Sequence, residues 1–170
     1  YRLADIYIGE NTCDGKKKAY EILGTDVPMH IMDLPQMKRP KDLKKWAEEV
    51  KDLMGIAEEL TGNKVTPEKL AEKIKVINAK RAALQRLYDL RKNEKAPISG
   101  ADTLLVSQIA YYDDPERFTK MVNILCDELD QRVADGVDVA PGAKRILISG
   151  TPMAIPNWKM HNIVETSGAV

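Results

Sequence analysis

Apolar and polar positions along this chain follow two different periods. Ala4-Asp5-Ile6-Tyr7-Ile8 is a short apolar run that predicts a buried strand over 4–9. Asp14 to Leu23 then repeats at helical spacing, with Thr12 or Asp14 as the expected N-cap and Gly24 as the stop. Val27-Pro28-Met29-His30-Ile31-Met32 predicts a second strand, closed by Asp33-Leu34-Pro35. A strand–helix–strand order this tight implies a parallel pair joined by a right-handed crossover.

The middle of the chain keeps to the helical period. Leu43, Trp46, Val50, Leu53, Met54, Ala57 and Leu60 form one stripe, which Thr61-Gly62-Asn63 breaks. Thr66-Pro67-Glu68 opens a new helix with a proline at its first position. Leu70, Ile74, Ile77, Leu84, Leu87 and Leu90 carry that stripe to Arg91. Shorter helices are expected from Ser99 to Tyr111 and from Asp114 to Asp135. Their charged positions read as solvated faces. Lys144 to Ser149 then predicts a buried strand, Trp158 to Thr166 a helix, and Gly168-Ala169-Val170 the start of another strand.

The expected fold class is therefore α/β, with two partial parallel-sheet, Rossmann-like units joined by a mainly helical insertion. Residues 1–40 would end a first α/β domain, 41–136 form the helical region, and 137–170 open a second α/β domain. Tyr1-Arg2-Leu3 leads directly into a strand, and the last strand stops in mid-pattern. Both features point to a piece of a longer polypeptide.

Composition narrows the partners. The 26 basic residues balance 26 acidic ones, and aromatic residues make up 5% of the chain. Neither a nucleic-acid partner nor base stacking is suggested. No apolar run approaches the roughly 20 residues that span a bilayer, so no membrane partner is expected. Two cysteines, Cys13 and Cys126, are too few for a disulfide scaffold, which favours a reducing, cytoplasmic setting.

Cys13 is the first candidate for chemistry. It sits in a polar turn, Gly9-Glu10-Asn11-Thr12-Cys13-Asp14-Gly15, where a strand ends and a helix begins. Ligands bind at such ends of open α/β sheets, and a helix N-terminus favours thiolate. Gly9 and Gly15 would allow close backbone approach, and Lys16, Lys17 and Lys18 follow. The residues leave three readings open: a metal or cluster ligand, a reactive thiolate, or a small buried apolar residue. Cys126 lies among apolar neighbours at helical spacing and reads as core. Gly150, after the later strand, would let a cofactor approach the backbone, with an anion held at the following helix N-terminus. His30 and His161 form no metal motif, and no phosphate-loop pattern is present.

The segment Gly9-Glu10-Asn11-Thr12-Cys13-Asp14-Gly15-Lys16-Lys17-Lys18 resembles the cysteine segment of the 2-hydroxyacyl-CoA dehydratase family. That family includes the benzoyl-CoA reductase cluster subunits and the double-cubane cluster proteins. Met29 to Pro35 is similar to the family's next strand. Lys144 to Val170, with Ser149-Gly150-Thr151-Pro152-Met153 and Pro156-Asn157-Trp158-Lys159, is similar to the opening of its second domain.

The resemblance implies an iron–sulfur subunit holding a 4Fe-4S or double-cubane cluster through three cysteines. Cys13 matches the middle one, and the others would lie before Tyr1 and after Val170. The piece alone would then hold no complete cluster and be inactive. An ATP-dependent iron–sulfur activator would supply a low-potential electron for acyl-CoA dehydration or for reduction of a small molecule. A second family subunit would complete the assembly. N–H groups from Thr12 through Asp14 to Gly15 would bond cluster sulfur, Gly150 and Thr151 would border the cofactor, and Glu10 would handle protons. Thr151 stands where some relatives carry a cysteine, and Pro156-Asn157-Trp158 leans toward the double-cubane group. The competing functions are a cluster-free thiol enzyme using Cys13 and a non-catalytic subunit-contact module.

Overall fold

The computed structural model describes residues 3–170, so Tyr1 and Arg2, read above as the lead-in to the first strand, lie outside the described residues. The protein is α/β. Among the described residues it has six helices and one two-stranded parallel sheet. The chain divides into two compact units, one ending at Thr66 and the other beginning at Pro67.

The first unit holds β1 (Tyr7–Glu10), α1 (Asp14–Leu23), β2 (Met29–Met32) and α2 (Pro40–Thr61). β1 and β2 pair in parallel, with Tyr7 opposite Met29 and Glu10 opposite Met32. Both strands are shorter than their apolar runs. Gly9 and Met32 are buried, whereas Ile8 is 53% exposed, so β1 is not the buried strand its sequence suggests. Gly9 is small because Tyr20 of α1 packs onto it: a methyl there would lie 2.6 Å from the Tyr20 ring. The missing side chain leaves room for that ring. Pro40 supplies the first turn of α2, whose Asp42 carboxylate bonds the Arg39 backbone N–H at 3.1 Å and its guanidinium. The guanidinium holds the Asp42 carboxyl below the usual carboxylate range.

The second unit holds α3 (Pro67–Leu90), α4 (Gly100–Ile109), α5 (Pro115–Ala134) and α6 (Lys159–Thr166). Helices α3 and α5 pack on each other. Their shared core contains Ala83, Leu87, Phe118, Val122, Cys126 and Leu129, joined by Ile98 and Ala110. Asp114 caps α5 by accepting from the N–H groups of Glu116 and Arg117 at 3.1 and 2.9 Å. Ser99 caps α4 by accepting from Asp102 N–H at 3.0 Å. Arg86 of α3 ties to Asp127 of α5 at 2.7 Å.

The buried strand expected over Lys144–Ser149 does not form. Lys144 makes a single parallel bridge with Ala169, and Ile146 N–H donates to Val170 at 2.8 Å. Leu147 is 90% exposed and Ile146 50%. A parallel strand needs neighbours beside it and cover on both faces. Here the last three residues give it one short partner.

Candidate functional site

The strand–helix turn of the first unit is built from β1 and fixed from below by α2. Glu10 closes β1, and its Oε2 accepts from Thr12 N–H at 2.8 Å and from the Thr12 hydroxyl. Its other oxygen pairs with Lys16 of α1. Asn11 reaches the end of β2: its amide donates to Asp33, and its carbonyl accepts from Leu34 N–H at 2.9 Å. Asp33 in turn pairs with Lys45 and donates its N–H to Glu49 at 3.0 Å, both on α2. One polar chain therefore runs from the turn through the end of β2 into α2.

Cys13 is the N-cap of α1, with φ −128° and ψ 125°, and its carbonyl accepts from Lys17 N–H at 3.0 Å. Neither Thr12 nor Asp14 is the cap, because Glu10 takes the Thr12 hydroxyl and the backbone turns helical only at Asp14. No side chain caps this helix. The first-turn N–H groups of Asp14, Gly15 and Lys16 thus face outward from a helix start that favours negative charge. The thiol is exposed. A methyl on Gly15 would lie 3.8 Å from its sulfur, an ordinary contact, so Gly15 leaves space beside the sulfur without being required by it.

The other candidates lie in the second unit. Gly150 has φ +139°, a conformation that glycine adopts readily, and Thr151 is exposed beside it. They border a cavity of about 560 Å³ that Arg91 and His161 also line. The loop is held to α4 by Gln108, whose amide donates to the Met153 carbonyl at 3.0 Å and accepts from the Trp158 indole at 2.9 Å. Cys126 is fully buried, and burial pushes its thiol up from the ordinary value. It is core, as its apolar neighbours imply.

A cluster needs several ligands. Among the described residues, no group of three or more His, Cys, Asp and Glu side chains is placed to hold a metal ion. The chemistry at Cys13 fits one ligand position: an accessible sulfur with uncapped N–H donors beside it. The sequence reading gave no role to Asn11, Asp33, Lys45 or Arg91. Asn11 lay inside the highlighted segment, but its partner lies at residue 33, and no local pattern announces that link. Arg91 was visible only as the end of a helix.

The turn that presents the uncapped thiol belongs to an α/β protein. Its sequence matches the family described as 2-hydroxyglutaryl-CoA dehydratase, D-component, over residues 1–170. The chain belongs to that family. It is also similar to the "Putative dehydratase subunit YjiM" of Escherichia coli strain K12, 31% identical over 170 residues. That match covers 99% of this chain and 44% of the relative, so the chain spans under half the relative's length. No helix among the described residues is long and apolar enough to cross a membrane.

Proposed function

We propose that this chain is the part of a dehydratase subunit that contributes Cys13 as one thiolate ligand to an iron–sulfur cluster, a 4Fe-4S or double-cubane centre. The observation that carries the reading is the exposed, uncapped Cys13 at the start of α1, in a chain whose family is that of a dehydratase component. When bound, such a cluster supplies a low-potential electron to the substrate. The remaining ligands come from outside this chain.

In this reading the chain's own residues orient and polarise. The Asn11–Asp33–Lys45 links hold the turn rigid, so the Cys13 sulfur keeps its position when a cluster exchanges electrons. The N–H groups of Asp14 and Gly15 lower the charge felt on the sulfur, which raises the potential of whatever it binds. Thr12 differs, because its N–H is already given to Glu10. Glu10 positions Thr12 and Lys16, and a proton-handling role for it requires Lys16 to swing away. Gly150 and Thr151 border the ligand side of the second unit. In the complete subunit, the two short parallel pairings extend into Rossmann-like sheets. The substrate is a 2-hydroxyacyl-CoA, the electron donor an ATP-dependent iron–sulfur activator, and the partner a second family subunit. A cluster-free thiol enzyme would need a base at Cys13; Glu10 is engaged by Thr12 and Lys16, which leaves the exposed Asp14 as the neighbouring carboxylate.

The test is iron and sulfide analysis of the full-length protein prepared without oxygen. Cys13→Ser is expected to lose iron and the visible absorbance of the cluster, while Cys126→Ala keeps both. Absence of iron from the wild type, or full iron in Cys13→Ser, overturns the reading.

A further inference from the structure

The second unit contains a guanidinium that makes no direct ion pair among the described residues. Arg91, at the end of α3, is partly buried, and its guanidinium makes no hydrogen bond or ion pair among the described residues. Burial and the nearby Arg145 pull it below the usual arginine value. Glu165 of α6 acts on it through charge but makes no direct ion pair with it, and its Oε1 accepts from Ala101 N–H at the start of α4 at 2.9 Å. The Arg145 guanidinium is also spent, donating to the backbone carbonyls of Arg91 and Asn93. Two guanidinium groups therefore face one carboxylate, and the local balance is positive. An oxyanion entering the cavity would supply the direct charge-assisted partner that Glu165 does not.

The groups around it are tightly assembled. A methyl on Gly100 would meet Glu165 Oε1 at 3.1 Å, His161 Cδ2 at 3.2 Å and Arg91 Nη2 at 3.7 Å. Arg91 and His161 both line the 560 Å³ cavity that runs along Ser149, Gly150 and Thr151. Nδ1 of His161 is buried with no hydrogen-bond partner. The N–H groups of Gly150 and Thr151 likewise donate to no partner among the described residues. A guanidinium without a direct partner, an imidazole ring and idle backbone donors thus line one cavity of ligand size.

We propose that this cavity binds the oxyanion of a small organic ligand, a carboxylate or a phosphate, with Arg91 as its counterion and His161 and the Gly150–Thr151 backbone as its further polar contacts. The fork of a guanidinium matches the paired oxygens of either group. The site shares Gly150 and Thr151 with the proposed function, but it stands on Arg91 and His161. Its test needs no metal, so its failure and that of the cluster reading are distinguishable.

The experiment is titration of the metal-free full-length protein with inorganic phosphate and, separately, with glutarate. Binding heat is followed together with the proton resonances of His161, and His30 in β2 serves as the internal reference. Saturable binding that moves His161 and leaves His30 still is expected. The tighter probe identifies the anion as phosphate or carboxylate. Arg91→Gln is expected to weaken binding at least about tenfold, the loss of a charged hydrogen-bond pair. Arg91→Lys keeps the charge without the fork and should fall between the two. Arg81→Gln, an exposed control on α3, should change nothing. Absence of saturable binding by either probe, a wild-type response that bypasses His161, or undiminished affinity in Arg91→Gln overturns the proposal.

Discussion

The α3–α5 pair and the β1–β2 pair use their apolar residues to opposite effect. In the helix pair, Leu87, Cys126 and Leu129 are fully sealed against one another. In the strand pair, Ile8 and Ile31 remain 53% and 37% exposed. Two helices can close a core along a single shared face, whereas a parallel pair needs layers on both sides. The cysteines follow the same division. Cys126 is an apolar packing element with a raised thiol value, and Cys13 stands exposed at a turn held by charge and amide links. The exposed cysteine therefore lies where packing is incomplete and polar contacts set the geometry.

The sharpest way to break this contrast is a matched pair of truncations. Leu129→Ala empties a fully buried position and is expected to cost about 3 kcal/mol of stability. Leu147→Ala removes a side chain that is 90% exposed and should change stability by less than about 0.5 kcal/mol. Urea unfolding of the 170-residue chain measures both. Equal losses would mean that residues 144–149 are buried after all, and that the contrast between the regions fails.

A smaller effect is expected at the strand–helix contact. Gly9→Ala would set a methyl 2.6 Å from the Tyr20 ring and 3.0 Å from Ile31 Cδ1. Overpacking of this kind costs about 1–3 kcal/mol. If the ring is the obstacle, Tyr20→Leu should recover part of that loss, and the double-mutant cycle should show strong coupling. Additive losses would show that Gly9 is required for some reason other than Tyr20.

The helices and their ends were legible in the sequence because their determinants are local. Pro67, Ser99 and Asp114 start helices within a residue of where their chemistry indicates, and the stripe through Leu87 and Leu90 faces a true core. Cys126 was legible for the same reason. The Cys13 turn was recognisable from its segment, yet what fixes it was not: Asn11 bonds a residue 22 positions away, and Asp33 is held by residues of α2. The strand read into residues 144–149 failed for a related reason. Its apolar run states that the segment can be buried, but burial depends on neighbours that a run of residues does not specify. The first half of the α3 stripe makes the same point, since Leu70 and Ile74 are 41% and 49% exposed despite ideal spacing.

The smallest effect separates the regions by what pH does to them. Glu58 joins the end of α2 to the following loop, accepting from Lys64 Nζ and from Val65 N–H, each at 2.7 Å. The Lys64 ammonium first, and then the Val65 N–H, hold its carboxyl below the ordinary glutamate value, against an opposing contribution from desolvation. A carboxyl depressed in the folded state stabilises fully above its unfolded value and loses that contribution as pH falls through the folded value. The wild type should therefore lose a small increment of stability on acidification that Glu58→Gln does not lose, read as converging unfolding midpoints between neutral and acidic pH. Because the pair is at the surface, added salt should shrink the difference. A Glu58→Gln midpoint that runs parallel to the wild type across that range would show that the charge of Glu58 does not hold this loop.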